Sequence, residues 1–285
     1  MNTLLNLFST IFDRIGAFWK KEETHKRVSA ILVVIFIVAL GVIELNRQGL
    51  LPEHISKSLP TSHYLAINLA FFLVLVLEVI SLIFTLPQSM SKALGKQFEI
   101  LALIFLRSSF KELSYLPEPI DISGHTDVIW HILSYGGGAV VIFGLLGVYL
   151  SMLKHLDDAL FPGPSLERFI KAKKTVSMIM LLIFVAMGGW DIWLHLFSDR
   201  GFDFFQSFYT VLIFSDILLV LIAQSFLPQF PAVFRNSGYS LATLLIRLSL
   251  TAPIYYNVMI GVFSILFALL LTHVYNTFYT IKKEP

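Results

Sequence analysis

The sequence predicts an all-α fold: a polytopic helical membrane protein with about eight transmembrane helices, built as two parallel four-helix repeats behind an N-terminal interfacial helix. Two observations predict this class. The 285 residues are 56% hydrophobic and only 14% charged, which is more apolar than a soluble domain can bury. Several apolar stretches also reach the roughly 20 residues that cross about 30 Å of hydrocarbon. The lipid bilayer is therefore the expected solvent for most of the chain.

The first element is an amphipathic helix over residues 1–21. Its apolar residues recur at helical spacing, at Leu4, Phe8, Ile11, Ile15 and Phe18. The segment lacks the early basic region and the small-residue cleavage site of a secretory signal peptide. We expect this helix to lie in the cytoplasmic membrane interface, with the Trp-Lys-Lys sequence at 19–21 at headgroup depth. A helix docked on the protein's own cytoplasmic face is the alternative.

Eight transmembrane helices follow in two sets of four, because the apolar runs approach spanning length. The first repeat covers 28–155, with helices at 28–46, 64–86, 93–114 and 128–153. A cytoplasmic linker is expected at 156–173. The second repeat covers 174–285, with helices at 174–197, 205–227, 236–251 and 253–281. The third helix of each set has a short apolar centre, so a re-entrant helix is the alternative to a full crossing for these two.

Similar sequences in the two sets predict a duplicated unit. "VALGVIEL" (38–45) matches "VAMGGWDI" (185–192), which pairs Glu44 with Asp191. The second helix of each set ends in Leu-Pro-Gln. An arginine follows each of these prolines, 20 residues later at Arg107 and 19 residues later at Arg247. Matches that recur in the same order indicate internal repetition, as in many transporters.

The distribution of Lys and Arg predicts the topology. With eight spans, one set of connections carries most of the basic residues, while the other set carries only Arg47, Lys57 and Arg200. Because basic residues near helix ends prefer the cytoplasmic side, both termini are expected there. The two repeats are then parallel, and the expected location is a bacterial inner (plasma) membrane.

The rise of about 1.5 Å per residue along the predicted spans places six charged residues inside the hydrocarbon, away from the charged helix ends. They are the acids Glu44, Glu78, Asp191 and Asp216 and the bases Arg107 and Arg247. A charge at the bilayer centre costs roughly 2.5 to 3.5 kcal/mol, so all six are expected to face the bundle interior. Each repeat then holds two acids and one arginine, which leaves one carboxylate unpaired. The acids either line a path for a proton or cation, with arginine as counter-charge, or the arginine simply neutralises an acid and holds the helices together.

The stretch "LVLVLEVISLIF" (73–84) places Glu78 on the second helix of a four-helix unit with a cytoplasmic N-terminus. In this respect the chain resembles voltage-sensor-type transmembrane domains, here in tandem. The resemblance implies a charge-paired bundle that conducts protons or ions. The fourth helix of such a domain carries an arginine ladder, which "VIWHILSYGGGAVVIFGLLGVYL" (128–150) lacks, so voltage sensing by moving charges is not expected.

Two further features have alternative interpretations. The glycines of "YGGG" (135–138), with Gly144 and Gly147, predict a close helix packing seam or a bend that opens a cleft. His195, one turn after Asp191, and His131 are candidate proton-carrying groups or surface hydrogen-bonding groups. No metal or other cofactor is expected, since the chain has no Cys and the repeat reproduces no His for a bis-histidine haem site.

The sequence therefore predicts a channel or transporter for protons or small cations. The alternative is a non-transporting membrane scaffold or assembly subunit with structural ion pairs and lipid or protein partners. No catalytic set is recognisable, so we do not expect an enzyme. The expected partners are the bilayer and either a second copy of the chain or another membrane protein. The net charge of +2 gives no reason to expect nucleic acid.

Overall fold

The computed structural model describes residues 2–19, 21–52, 56, 59, 61–117, 124–153, 164–197, 203–226 and 229–279. These residues form nine α-helices and no strands. The helices are α1 (Asn2–Trp19), α2 (Glu22–Arg47), α3 (Tyr64–Thr85), α4 (Met90–Lys111), α5 (Thr126–Leu153), α6 (Pro164–Phe197), α7 (Phe204–Phe226), α8 (Phe230–Thr251) and α9 (Tyr256–Tyr279). A short 3₁₀ turn, Glu112–Tyr115, follows α4.

Six of these helices are long and apolar enough to cross a membrane, so the chain is an integral membrane protein. They are α2, α3, α5, the Arg168–Leu194 part of α6, α7 and α9. Helices α4 and α8 do not meet this criterion, although each has 22 residues. Both carry charged side chains along their length, which lowers their mean hydropathy. These are the two helices whose apolar centres are short in the sequence.

Three helix starts differ markedly from the sequence prediction. Helix α2 begins at Glu22 instead of residue 28. Helix α6 begins at Pro164, so the second half of the predicted linker, 156–173, is helical. Helix α8 begins at Phe230 instead of residue 236. The predicted starts of α2 and α6 followed the apolar runs, whereas Glu, Lys and Arg are good helix formers and extend a helix beyond its apolar part. The missed start of α8 is different, because it contains Pro231, which a helix accommodates in its first turn.

Helices α4 and α5 form one antiparallel pair, and α8 and α9 form another. The Tyr149 hydroxyl donates a hydrogen bond to the Ser91 carbonyl near one end of the first pair, and Ser109 bonds to the Ile132 carbonyl near the other end. In the second pair, Tyr239 and Thr272 share a hydrogen bond at 3.1 Å. The four helices bury one continuous apolar core. Both α4 and α8 therefore run alongside a helix of membrane-spanning length.

A second core joins α3, α6 and α7 beside the first. The amphipathic helix α1 docks on this part of the molecule. Phe12 is 5% exposed and lies 5.3 Å from the Phe84 ring, measured between ring centroids. Lys174 donates a 2.7 Å hydrogen bond to the Asp13 carboxylate. These contacts agree with the docked alternative for the N-terminal helix, while its position in the membrane interface stays a prediction.

The order of helix contacts is the same in the two sets of four. Helix α2 packs on α3, α3 on α4 and α4 on α5, while α6 packs on α7, α7 on α8 and α8 on α9. The sets meet through α4 with α8 and α5 with α9, which hold equivalent places, and also through α3 with α6, which do not. A duplicated unit predicts this order of contacts.

The glycines of α5 differ in their surroundings. A Cβ atom added at Gly138 would lie 2.4 Å from Cγ1 of Val258 on α9, so the two helices approach closely at this point. Gly144 and Gly147 have no atom within 4 Å of such a Cβ. A packing seam therefore exists at Gly138, but not at the later two glycines.

Candidate site of ionisable side chains

The Glu78 and Arg107 side chains form a bidentate ion pair between α3 and α4. Nη2 of Arg107 donates a 2.6 Å hydrogen bond to Oε1 of Glu78, and Nη1 donates to Oε2. The two side chains are only 19% and 12% exposed, for Arg107 and Glu78 respectively. The planar guanidinium matches the two carboxylate oxygens, which is the geometry that favours Arg over Lys in such pairs.

Asp216 on α7 and Arg247 on α8 are the corresponding residues of the second set. They are more deeply buried, at 5% and 3% exposed, and they interact electrostatically. Their hydrogen bonding is incomplete: within the described residues, Oδ2 of Asp216 and Nε and Nη2 of Arg247 have no hydrogen-bond partner. Buried polar atoms of this kind normally have a partner, in the protein or in ordered water.

Tyr209 on α7 connects these two acid and arginine pairs. Its side chain is 7% exposed and interacts electrostatically with both Arg247 and Glu78. We call these five residues the central row: Glu78, Arg107, Tyr209, Arg247 and Asp216. Our sequence analysis missed Tyr209. A signal was present, since Tyr209 precedes Asp216 by two helical turns and so lies on the same face of α7.

Two cavities adjoin the central row. The larger has a volume of about 690 Å³ and lies between α3, α4, α5, α7, α8 and α9, with Arg107 and Tyr209 in its wall. The smaller, about 80 Å³, lies between α7 and α8 and is lined by Asp216 and Ser240. Both volumes exceed the roughly 10 to 15 Å³ that one water molecule requires.

The cavities lie at different heights in the bundle. We call the end at which α3 begins and α4 ends the outer end, following the predicted topology. The large cavity reaches this end, because its wall includes Asn68 near the start of α3 and Lys111 at the end of α4. The small cavity lies closer to the opposite end, beside Leu241 and Leu244 of α8. Tyr209, Arg247 and Asp216 therefore lead from one cavity toward the other.

Two of the predicted path acids lie away from the central row. Glu44 accepts a 2.7 Å hydrogen bond from Gln48, lies 3.0 Å from Nε2 of His63, and its side chain is 46% exposed. Helix α2, which carries it, packs on α3 and α1 and not on the centre of the bundle. Asp191 is half-buried near the end of α6. It lies one turn beyond Gly188, and Gly188 faces Phe204 at the start of α7. Phe204 is about 18 Å from Asp216 along the axis of α7, so Asp191 and Asp216 lie at different heights in the bundle.

Of the two candidate histidines, the structure describes the side chain of His131 only. The side chain of His195 lies outside the described residues. His131 on α5 lies 3.0 Å, Nδ1 to Oε2, from Glu112, a buried acid that sequence analysis did not single out. The Tyr255 ring packs against His131 with centroids 5.5 Å apart, and its backbone is in the left-handed region, with φ of 73°. Glu112 was missed because it lies at the end of the predicted span 93–114, beyond its apolar centre, where a charged residue looks like an ordinary surface residue.

Comparison with known proteins adds no family to this description. No protein-family model, curated protein or solved structure matches the chain at a significant level. The function of the chain must therefore be argued from its own residues and geometry.

Proposed function

We propose that the protein is a channel or transporter for protons or small cations that uses the central row. The observation that supports this best is the position of Tyr209, Arg247 and Asp216 between two cavities. A buried carboxylate with an unpaired oxygen can accept a proton from water in the cavity beside it. The phenol of Tyr209 can relay a proton, and the fixed positive charge of Arg247 can stabilise the Asp216 carboxylate after it releases its proton.

We further propose that all eight helices α2 to α9 cross the membrane. Helices α4 and α8 each pair along their length with α5 or α9, which are long and apolar enough to span. Their polar residues do not argue against crossing, because neighbouring helices shield them from lipid. Arg247 and Asn236 of α8, for example, are 3% and 5% exposed. A central helix surrounded by protein does not need a uniformly apolar surface.

Other features of the proposal follow from the sequence. We propose that the chain is a duplicated four-helix unit similar to voltage-sensor-type domains. We also propose that it lies in a bacterial inner membrane with both termini in the cytoplasm. The equivalent roles of Arg107 and Arg247, each facing an acid of the preceding helix, support duplication. We propose no catalytic role.

Flux through purified protein in liposomes tests the proposed function. The wild type should dissipate an imposed pH gradient, measured with an internal pH-sensitive dye while valinomycin and K⁺ clamp the membrane potential. Glu78→Gln and Asp216→Asn should each lower this flux at least about tenfold, because an amide cannot release a proton as a carboxyl can. An imposed Na⁺ gradient at constant pH, followed with an internal Na⁺-sensitive dye under the same K⁺ and valinomycin clamp, separates cation flux from proton flux.

Glu44→Gln is the matched control. It makes the same chemical change in a side chain that is half-exposed and outside the central row, so the flux should be unchanged. Each variant must keep the unfolding temperature of the wild type in detergent. Wild-type liposomes no leakier than empty ones would overturn the transport proposal. Equal effects of Glu44→Gln and Glu78→Gln would overturn the assignment to the central row.

A non-transporting scaffold is the second candidate, and one observation favours it. Both oxygens of Glu78 are occupied by Arg107, so this pair is closed in the way a structural ion pair would be. In a scaffold, the pair would hold α3 to α4, and a second copy of the chain or another membrane protein would bind the exposed apolar faces. Loss of stability in Glu78→Gln, without any change in flux, is the result expected for this role.

A further inference from the structure

We propose that the large cavity binds an anionic amphiphile, with its acidic head group at Lys111 and its apolar tail along α3 and α7. This goes beyond ion or proton flux and does not depend on it. The cavity volume of about 690 Å³ lies within the range of ligand sites, which is roughly 300 to 1,000 Å³. The wall is built from both sets of four helices, so a ligand here would contact both halves of the molecule.

The charge of the wall selects an anion. Its two charged side chains are Arg107 and Lys111, and no acid is among the lining residues. Glu78 offsets the charge of Arg107, whereas Lys111 makes no ion pair within the part of the chain that the structure describes. Lys111 lies one turn beyond Arg107 on the same face of α4, at the outer end of the cavity.

Hydrogen-bond donors complete the polar part of the wall. Tyr209 is 7% exposed, lines the cavity, and its hydroxyl has no hydrogen-bond partner among the described residues. Tyr135 accepts a 2.9 Å hydrogen bond from Asn257, which leaves its own phenolic hydrogen able to donate. The ammonium group of Lys111 and these two phenol hydroxyls can each donate a hydrogen bond, and such a set of donors suits an oxyanion such as phosphate or carboxylate.

Apart from Asn68, the remaining side chains that α3 and α7 contribute to the wall are apolar, and some of them reach the surface of the bundle. Phe71, Phe72 and Leu75 of α3 line one side, and Phe205 of α7 packs on Phe72 with ring centroids 5.3 Å apart. Leu69 and Phe72 are also 44% and 45% exposed, on a helix apolar enough to span. The same α3 side chains therefore line the cavity and face the bilayer, and a lipid tail would run along them.

Native mass spectrometry in a zwitterionic detergent tests this inference. The probes are dioleoyl phosphatidic acid, dioleoyl phosphatidylcholine and inorganic phosphate. One equivalent of phosphatidic acid should bind more tightly than phosphatidylcholine, and millimolar phosphate should not displace it. Lys111→Gln should weaken binding about tenfold, because it removes a charge-assisted hydrogen bond. Lys96→Gln, on the same helix but outside the cavity wall, is the matched control and should bind like the wild type.

A cavity-filling variant distinguishes a ligand inside the cavity from a lipid on the surface. Ser108→Phe places a ring in the cavity and leaves Lys111 in place, and Leu75→Trp does the same from the opposite wall. Either variant, if it unfolds at the wild-type temperature, should abolish binding. Unchanged affinity in both would place the lipid on the outer surface and overturn the inference. Displacement by phosphate alone would overturn the amphiphile in favour of a small anion. None of these results depends on flux through Glu78.

Discussion

At the scale of single residues, the two arginines hold equivalent positions in the two predicted repeats but have different surroundings. Arg107 forms two hydrogen bonds to Glu78, whereas Arg247 is more deeply buried and retains two nitrogen atoms without a partner among the described residues. An ion pair whose polar atoms are all hydrogen-bonded contributes rigidity. An ion pair that keeps polar atoms without a partner can hydrogen-bond to water or exchange a proton with it. This difference makes Asp216 and Arg247 the stronger candidates for a dynamic role.

We predict that Arg107→Met destabilises the protein by about 3 to 5 kcal/mol, because it leaves the buried Glu78 carboxylate without its counter-charge. The double variant Glu78→Leu with Arg107→Met should recover most of this loss, since it removes both charges and leaves apolar side chains of similar size. Unfolding in mixed micelles, followed by tryptophan fluorescence, measures both. If the double variant were as unstable as the single one, the ion pair would not be the cause of the loss.

At the scale of helices, close packing and polar contacts are concentrated on α4, α5, α8 and α9. Gly138 and Gly261 allow α5 and α9 to approach their neighbours, since a Cβ at either position would lie within 3.1 Å of a neighbouring side chain. Asn257 connects the same helices by its hydrogen bond to Tyr135. In lipid, where apolar surfaces gain little by associating, such close contacts and hydrogen bonds are the main forces between helices.

We predict that Gly138→Ala destabilises the protein by about 1 to 3 kcal/mol, the usual effect of overpacking a tight contact. The added Cβ would lie 2.4 Å from Val258, and a β-branched side chain has few alternative rotamers with which to yield. Gly144→Ala, on the same helix but with open space around it, is the control. It should be neutral or stabilising by up to about 1 kcal/mol, because alanine favours the helix. Similar losses in the two variants would argue against a seam at Gly138.

At the scale of the whole molecule, the open question is whether six or eight helices cross the membrane. Six helices satisfy length and composition, and the packing of α4 and α8 favours eight. Both counts place the termini on the same side. They differ in the side on which the segments between α4 and α8 lie, because omitting α4 inverts the direction in which α5, α6 and α7 cross, and omitting α8 restores the direction of α9.

Cysteine labelling distinguishes the two topologies, since the chain has no native Cys. Thr126 and Arg168 are exposed near the starts of α5 and α6. With eight spans, Thr126→Cys should react with a membrane-impermeant maleimide in intact cells, and Arg168→Cys only after permeabilisation. A cysteine at Thr3, which shares the side of the N-terminus, serves as the internal reference. The reverse pattern, with Arg168→Cys on the outside, would mean that α4 does not cross.

Much of the fold could be predicted because it depends on local composition. The apolar runs indicated the positions of α2, α3, α5, α7 and α9 to within a few residues, apart from the charged first turns of α2. Helix α6 was predicted to begin ten residues too late, because hydropathy reports where a helix becomes apolar and not where it begins. The prediction that charges in the spans face inward agrees with Glu78, Arg107, Asp216 and Arg247, but not with Glu44, which is half-exposed.

The sequence by itself determined that the chain is a helical membrane protein and which residues bring charge into its spans, since these properties depend on local runs of side chains. Only the tertiary structure decided which charges meet. It paired Glu78 with Arg107, brought Tyr209 within electrostatic range of both Glu78 and Arg247, and assembled a cavity from six helices. The physical reason is that a side chain's partner depends on how each helix is rotated and which helices it packs against. Those choices are made by close packing between segments far apart in the chain.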